Sequence, residues 1–216
     1  MEILLIGASK GLGLQILKEA IKKEIKVNCL IRKKSKLNLK SPFLKKIYGD
    51  ATNYRDLEKS VGNSEVIIST INVCRRNIIP WSALTNSKTT VSTFAKNTLN
   101  LSKNNINRII TISAWGVGDS IDDIPKLFKL LIKFSNLKYP YMDHDLHEKI
   151  IEKSNFNWTI LRPSALTNEQ KYHEVVSHEG NNNPRLTVGR KSLARFIIGI
   201  IENKSYFKKK LVVSRK

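Results

Sequence analysis

The first twenty residues, MEILLIGASKGLGLQILKEA, constrain the fold more than any other stretch of the chain. The apolar run from Ile3 to Ile6 has the length and composition of a parallel strand buried on both faces. Three glycines follow it, and after them apolar residues recur at helical spacing, with polar residues on the opposite face. The segment therefore predicts a strand, a glycine-rich turn and a helix.

The three glycines point to a bound nucleotide. In such a turn one glycine permits a sharp exit from the strand, one removes the Cβ that would block a pyrophosphate, and one lets helix and strand pack closely. The helix N-terminus then offers free N–H groups to the phosphates. A tight connection without a ligand is the alternative, but further βα units downstream favour nucleotide binding. The turn residues expected at the cofactor are Gly7, Ser9, Lys10, Gly11, Leu12 and Gly13.

The spacing Gly7-x-x-x-Gly11-x-Gly13 resembles the fingerprint of the short-chain dehydrogenase/reductase superfamily. The pair Asp143-His144, a helix, and then the segment SNFNWTILRP at 154–163 resemble the atypical members of that superfamily, the biliverdin/flavin reductases and their NAD(P)H-binding relatives. The resemblance covers nearly the whole chain. It implies one doubly wound α/β domain over 1–216, with a mainly parallel Rossmann sheet in the order 3-2-1-4-5-6-7. A small irregular substrate lobe is expected over 165–188, with a mobile tip at 181–184.

Two cations end the second predicted strand, Ile25–Ile31, where a dinucleotide-binding fold meets the adenosine ribose. An acidic residue there accepts from the ribose 2′-hydroxyl, whereas an arginine accommodates a 2′-phosphate. Arg32 and Lys33 follow the strand without any carboxylate. They favour NADPH over NADH, the alternative being ordinary solvated cations in a lysine-rich protein.

The resemblance implies further cofactor contacts at the ends of other strands. A Gly-Asp dipeptide is expected near the adenine, although Asp50 on local grounds reads as a turn residue or helix cap. The strand over Val66–Thr70 should end opposite the glycine turn, because ligands of open α/β sheets lie outside the carboxyl ends of the strands. Asn72 departs from the small-residue turn usual in the family. The implied contacts are Asp50, Ala51, Thr70, Ile71, Pro163 and Ser164.

Ser113, at the end of the strand Arg108–Ser113, is the first candidate for chemistry. In the superfamily the serine at this place hydrogen-bonds the substrate carbonyl or the nicotinamide region. A serine that ends a strand is also ordinary turn chemistry. The position after the fifth strand of a nucleotide fold favours the functional interpretation.

The tyrosine–lysine pair of the superfamily is missing, because neither Tyr139 nor Tyr141 is followed four residues later by lysine. That lysine lowers the tyrosine pKa in the usual enzymes, so its absence argues against their acid/base mechanism. His144 stands where atypical members carry lysine or histidine. It is a candidate donor to the ribose or to a substrate carboxylate, or else a surface histidine at a helix start. Tyr141 is the fallback proton donor, or a core contact.

A helix is expected from Pro125, with Leu127, Phe128, Leu131 and Phe134 on one face. It could lie on a membrane with its lysines outward. Packing over the substrate pocket is the favoured interpretation.

Composition limits the remaining classes of function. The 38 basic and 18 acidic residues give a formal net charge of +20, which would steer polyanions. Because the lysines are spread along the whole chain, nucleic-acid binding is disfavoured. Cys29 and Cys74 form no metal or redox spacing and are expected to be buried thiols. No secretory signal or transmembrane span is expected, which predicts a cytoplasmic protein.

Two functions from different classes remain. The first is an NADPH-dependent oxidoreductase that reduces a small conjugated, quinone, flavin or tetrapyrrole-like acceptor, as a monomer or homodimer without a metal. The second is a redox sensor or regulatory scaffold that binds NADP(H) without turnover. The missing tyrosine–lysine pair motivates the second.

Overall fold

The computed structural model describes residues 1–101, 105–180 and 183–216 and is built around one large sheet. The apolar run that opens the sequence is the central strand of this sheet, and its residues Ile3 to Ile6 are at most 2% exposed. Within the described residues the strands are β1 (Glu2–Ile6), β2 (Lys26–Ile31), β3 (Leu44–Tyr48), β4 (Val66–Ser69), β5 (Arg108–Ile112), β6 (Asn157–Pro163), β7 (Ala165–Thr167), β8 (Val175–His178), β9 (Thr187–Gly189) and β10 (Lys209–Arg215).

Helices cover both faces of the sheet. One face packs against α1 and α6, and the other against α2 and α3, with α5 beside α3. Alternate residues of β1 divide between these layers, Ile3 and Leu5 on the first and Leu4 and Ile6 on the second. The α-helices described are α1 (Gly11–Lys22), α2 (Tyr54–Val61), α3 (Thr90–Leu99), α4 (Lys126–Phe134), α5 (Lys138–Glu152) and α6 (Arg190–Gly199), with short 3₁₀ turns at Gly118–Asp123 and Lys204–Tyr206.

The strand order is β3-β2-β1-β4-β5-β6-β10-β8. The first seven strands of this order are parallel and match the predicted 3-2-1-4-5-6-7, with β10 in the seventh place. The prediction missed the eighth strand, β8, which pairs antiparallel with β10. The sheet reverses its order between β1 and β4, so a crevice opens there at the carboxyl ends of the strands.

The segment over 165–188 is more regular than expected. It supplies β8 to the main sheet, and its ends pair with each other as β7 and β9. Backbone pairing with β10 decides the structure of β8, which no local periodicity revealed. Of the predicted tip, residues 181 and 182 lie outside the described residues, while Asn183 is exposed and Pro184 is buried.

Two further expectations need correction. Cys29 is a buried thiol as predicted, but Cys74 is only half-buried, in the loop after β4. The helix α4 packs through Ile132 and through Phe128, whose ring meets that of Tyr141 edge-on. Its residues Leu127 and Phe134 face solvent instead of a pocket.

Candidate functional site

The carboxyl ends of β1, β4, β5 and β6 bring most of the candidate residues to one edge of the sheet. Ile6 pairs with Ser69 and Ser69 with Thr111, so the chain leaves β1, β4 and β5 at the same level. The amide of Ser113 donates to the carbonyl of Leu161 at 2.8 Å. The structure therefore places the glycine turn, Thr70 and Ser113 along one crevice.

Thr70 locks the glycine turn against β4. Its hydroxyl donates to the carbonyl oxygen of Ile6 at 3.1 Å and to that of Gly7 at 3.3 Å. Gly7 has φ +87°, and a Cβ on it would come within 2.6 Å of Thr70 Oγ1. A Cβ on Gly13 would come within 2.2 Å of the Gly7 carbonyl oxygen. Both positions therefore require glycine for close packing of turn, helix and strand.

Gly11 differs from these two glycines because the space beside it is open. It has φ +59°, and the nearest atom that a Cβ on it would meet is Arg190 Nε, at 3.8 Å. At this point α1 begins without a side-chain cap and without an acidic residue in its first turn. Free N–H groups of the first turn therefore border this open space, as a phosphate site requires.

Arg190 adds a cation beside that open space. It opens α6, which packs beside α1 and also lacks an acidic residue in its first turn. The guanidinium donates through Nη1 to Asn168 Oδ1 at 2.9 Å, and its partial burial lowers the arginine pKa. Sequence reasoning missed this residue. Nothing in the local sequence places Arg190 beside Gly11, because the two residues meet only through the packing of α6 on α1.

The two cations after β2 are exposed, and the backbone of Arg32 forms a turn through its carbonyl, which accepts from the amide of Ser35 at 2.8 Å. The carboxylate of Asp50 accepts from the amide and hydroxyl of Thr52 at 2.8 and 2.7 Å. Asp50 thus has the turn role that the local pattern indicated, and its side chain remains at the surface beside buried Ala51.

His144 is buried in the middle of α5, which excludes the alternative of a surface histidine at a helix start. Nε2 donates to Asn72 Oδ1 at 3.1 Å, while Nδ1 has no hydrogen-bond partner among the described residues. Burial lowers the His144 pKa to about 4. The ring is therefore neutral at pH 7 and serves as a hydrogen-bonding group, not as an acid.

Tyr141 lines an open cleft of about 440 Å³ with the backbone of 116–119 and with Met142 and Asp145. Its hydroxyl donates to the carbonyl of Trp115 at 3.2 Å. Burial raises the pKa of Tyr141 to about 12. This shift is opposite in direction to the one that a paired lysine would cause, so Tyr141 is a weak proton donor.

Beneath Ser113 lies a buried ion pair that the sequence only hinted at. Arg162 donates through Nε to Glu148 Oε1 at 3.0 Å and through Nη2 to Glu148 Oε2 and to Asp119. Burial raises the pKa of Glu148, and the Arg162 guanidinium opposes that shift. Arg162 thus joins β6 to α5 through a buried carboxylate.

Several buried polar atoms around the crevice have no hydrogen-bond partner among the described residues. Buried donors and acceptors are almost always paired, so such atoms mark a place where a polar ligand or water completes the structure. Those at this edge are available to pair with a bound cofactor or acceptor. The atoms are Ser113 Oγ, Trp115 Nε1, His144 Nδ1 and Ser164 Oγ.

Comparison with known families and structures agrees with this geometry. A family model described as NAD(P)H-binding matches residues 7–204. No curated protein matches the chain in sequence. Among the described residues, none of the helices is long and apolar enough to cross a membrane.

Solved structures share the fold across the whole chain. A short-chain dehydrogenase/reductase from Veillonella parvula, in complex with NADP, superposes with a TM-score of 0.80 at 18% identity, over 99% of this chain and 94% of that one. ChuY, an anaerobilin reductase from Escherichia coli, gives 0.76 at 18% identity over 100% and 97%. The oxidoreductase YlbE from Lactococcus lactis gives 0.77 at 17% identity over 100% and 91%.

Proposed function

The chain belongs to the NAD(P)H-binding family, and we propose that it is an NADPH-dependent reductase of a small conjugated acceptor such as a quinone, a flavin or a tetrapyrrole. One observation carries this proposal. The open space beside Gly11 and the unpaired polar atoms around Ser113 lie along the same crevice, at the point where the strand order reverses. A dinucleotide spans such a crevice, with its phosphates at the glycine turn.

In this proposal the cofactor runs from β3 to β6 along the carboxyl edge. The pyrophosphate lies over the N-terminus of α1, where Arg190 offsets its charge. Arg32 and Lys33 face the 2′-phosphate. The nicotinamide end points towards the unpaired hydroxyl of Ser164. The remaining proposed contacts are Ser9, Lys10, Leu12, Asp50, Ala51, Thr70, Ile71 and Pro163.

The proposed chemistry needs little from acidic side chains. A bound reduced nicotinamide supplies two electrons and one proton as a hydride. Ser113 donates a hydrogen bond to an oxygen of the acceptor, on which negative charge develops. His144 positions the nicotinamide region as a neutral group, and Tyr141 shapes the cleft. Because both side chains are weak acids here, the second proton comes from water.

The similar structures support this choice of substrate class. One of them is named an anaerobilin reductase and another contains NADP. An open, partly apolar cleft beside Tyr141 gives room for a flat conjugated ring system. A strongly reducible acceptor also needs less acid assistance than a simple ketone, which agrees with the absence of a tyrosine–lysine pair.

A second candidate function is an NADP(H)-binding sensor without turnover. The observation that favours it is that burial moves the pKa values of His144 and Tyr141 away from those of effective proton donors. The sensor would bind NADPH tightly and would not oxidise it, whichever acceptor is supplied.

The two functions separate in one experiment. Purified protein is titrated with NADPH and NADH, and NADPH oxidation is then followed without oxygen against quinones, flavins and linear tetrapyrroles. We expect NADPH binding in preference to NADH, and turnover with at least one acceptor. Binding without turnover on any acceptor would favour the sensor, and absence of binding would refute both.

A matched pair of variants tests the role of Ser113. Ser113→Ala should lower kcat about tenfold while the Kd of NADPH stays unchanged, since one hydrogen bond to developing charge is worth about 1.5 kcal/mol. Thr111→Val is the control, because Thr111 also carries a buried unpaired hydroxyl on β5, two residues deeper in the sheet. Equal losses in both variants would assign Ser113 a structural role only.

A further inference from the structure

The apolar face of α4 is exposed, which is unusual for a helix of this composition. Leu127 is 80% exposed, Leu130 52% and Phe134 65%, and their spacing of three and four residues puts them on one side of the helix. A soluble helix normally buries that side against its own core. Here α4 buries Ile132 instead and leaves the larger apolar stripe uncovered.

The loop between β4 and α3 extends the same surface. Its tip carries Ile78, Ile79 and Trp81, which are 92%, 55% and 60% exposed. Trp81 Nε1 donates to the carbonyl of Phe134 at 3.0 Å, and Asn136 Nδ2 donates to the carbonyl of Trp81 at 2.8 Å. These hydrogen bonds hold the loop tip beside the end of α4, and the six exposed apolar residues of loop and helix are together called the α4 surface below.

The loop is held in this position by internal hydrogen bonds. Arg75 Nη1 donates to the carbonyls of Ile79 and Pro80 at 3.2 and 3.3 Å, and the amide of Arg76 donates to the carbonyl of Ala83 at 2.9 Å. The apolar tip is therefore presented by a closed hairpin. The apolar side chains at the tip are exposed although the loop itself is hydrogen-bonded at its base.

The charge around the α4 surface is mainly positive, and the nearest carboxylates in sequence, Asp122 and Asp123, stand just before Ile124. The segments 73–89 and 124–138 contain seven basic and no acidic residues. Lys129 pairs with Asp122 outside these segments. The exposed cations that flank the apolar residues are Arg76, Lys88, Lys126, Lys133 and Lys138.

This combination selects one kind of partner. Nucleic acid would match the cations but would leave the isoleucines, leucines and phenylalanine in water. An anionic bilayer surface matches both, since its headgroups attract the lysines and its acyl boundary accepts the apolar stripe and the indole. We propose that the α4 surface docks this protein reversibly on anionic membranes. The inference does not depend on the proposed reductase activity.

Vesicle sedimentation tests the proposal. The full chain is mixed with vesicles of equal parts phosphatidylglycerol and phosphatidylcholine, or of phosphatidylcholine alone, at 0.15 M salt. We expect at least tenfold stronger binding to the anionic vesicles, weakening as salt rises. Trp81 fluorescence should shift to shorter wavelength on binding, and a Trp81→Phe variant should lose that shift.

Variants separate this surface from the overall charge. Leu127→Gln and Phe134→Gln should each weaken vesicle binding at least fivefold, and Lys133→Gln should weaken it most at low salt, where its charge is least screened. Leu186→Gln is the matched control, because Leu186 is 64% exposed in the segment between β8 and β9. Its binding should equal that of the wild type.

Any of the following outcomes would overturn the proposal. They are no vesicle binding, equal binding to neutral and anionic vesicles, binding unaffected by Leu127→Gln, and a wild-type dimer in light scattering that Leu127→Gln dissociates. The last would show that a second copy of the chain covers the surface. A short DNA duplex could also displace the protein from the anionic vesicles. If it displaces the wild type and Leu127→Gln equally well, the binding depends on charge alone.

Discussion

Asn72 Oδ1 lies 3.1 Å from Nε2 of His144, and this hydrogen bond joins the exposed turn after β4 to the buried middle of α5. It fixes the proton on Nε2 and leaves Nδ1 as an unpaired acceptor. The asparagine that departed from the family pattern thus has a specific partner. It orients the imidazole, while burial keeps that ring neutral.

The two buried histidines should make folding sensitive to mild acid. Burial lowers the pKa of His144 to about 4 and that of His147 to about 3, from 6.5. Below pH 6.5 the unfolded chain therefore binds more protons than the folded one, and the free energy of unfolding decreases as the pH is lowered. Between pH 7.5 and 5.5 each histidine should cost about 1.4 kcal/mol. Urea denaturation at several pH values measures this.

A substitution assigns the effect to the buried rings. His147→Gln should remove about half of the pH dependence over this range. His173→Gln is the control, since that ring lies at the surface. A His147→Gln variant with the wild-type pH profile would show that other groups cause the effect.

Arg32 should decide the choice of cofactor. A guanidinium contacts a 2′-phosphate through charge-assisted hydrogen bonds worth about 1.5–3 kcal/mol each, so Arg32→Ala should weaken NADPH binding roughly ten- to a hundredfold. NADH binding should barely change. Titration of both cofactors checks this, with the exposed Lys36→Ala as a nearby control. Equal losses for the two cofactors would make Arg32 a structural residue and leave the NADPH preference unsupported.

Gly11 should be needed for the cofactor more than for the fold. Gly11→Ala puts a methyl group into open space beside Arg190, at a φ of +59°. The backbone strain should cost about 1–2 kcal/mol of stability, and the methyl group should block the pyrophosphate. We expect a folded variant whose cofactor affinity falls at least tenfold, by calorimetric titration.

Gly180 supplies the matched control for that variant. It has φ +76°, and no atom within 4 Å would meet an added Cβ. Gly180→Ala should therefore lose similar stability while it keeps its cofactor affinity. If both variants bind the cofactor equally well, the pyrophosphate does not lie at Gly11.

The Arg162–Glu148 pair should be costly to break from one side. Both side chains are buried, at 6% and 3% exposure, so Arg162→Met leaves the Glu148 carboxyl without its cation. A loss of about 3–5 kcal/mol in the free energy of unfolding is expected. The double variant Arg162→Met with Glu148→Leu should recover at least half of it, as measured by urea denaturation.

A surface pair provides the comparison. Lys149 and Asp145 form an exposed bridge one helical turn apart, and Lys149→Ala should leave stability unchanged. A double variant no more stable than Arg162→Met would show that packing around the arginine, and not its charge, supports β6.

Much of the fold was predictable because it depends on local pattern. The apolar run, the glycines and the amphipathic segment at the start predict a strand, a turn and a helix, and repetition of this unit predicts the parallel sheet. Right-handed crossovers then leave few strand orders, so the predicted order holds for the first seven strands. The strand β8 was not predictable, since only backbone pairing with β10 makes it a strand.

Residue types and their spacing alone determined the glycine turn, the cations after β2 and the missing tyrosine–lysine pair. The tertiary structure decided what surrounds each of these features. Arg190 meets Gly11 only through the packing of α6 on α1, and His144 became neutral only because α5 buries it. The apolar face of α4 is likewise exposed because of how the rest of the chain packs around that helix. Periodicity indicates which residues share a face, but desolvation and contact depend on parts of the chain far away in sequence.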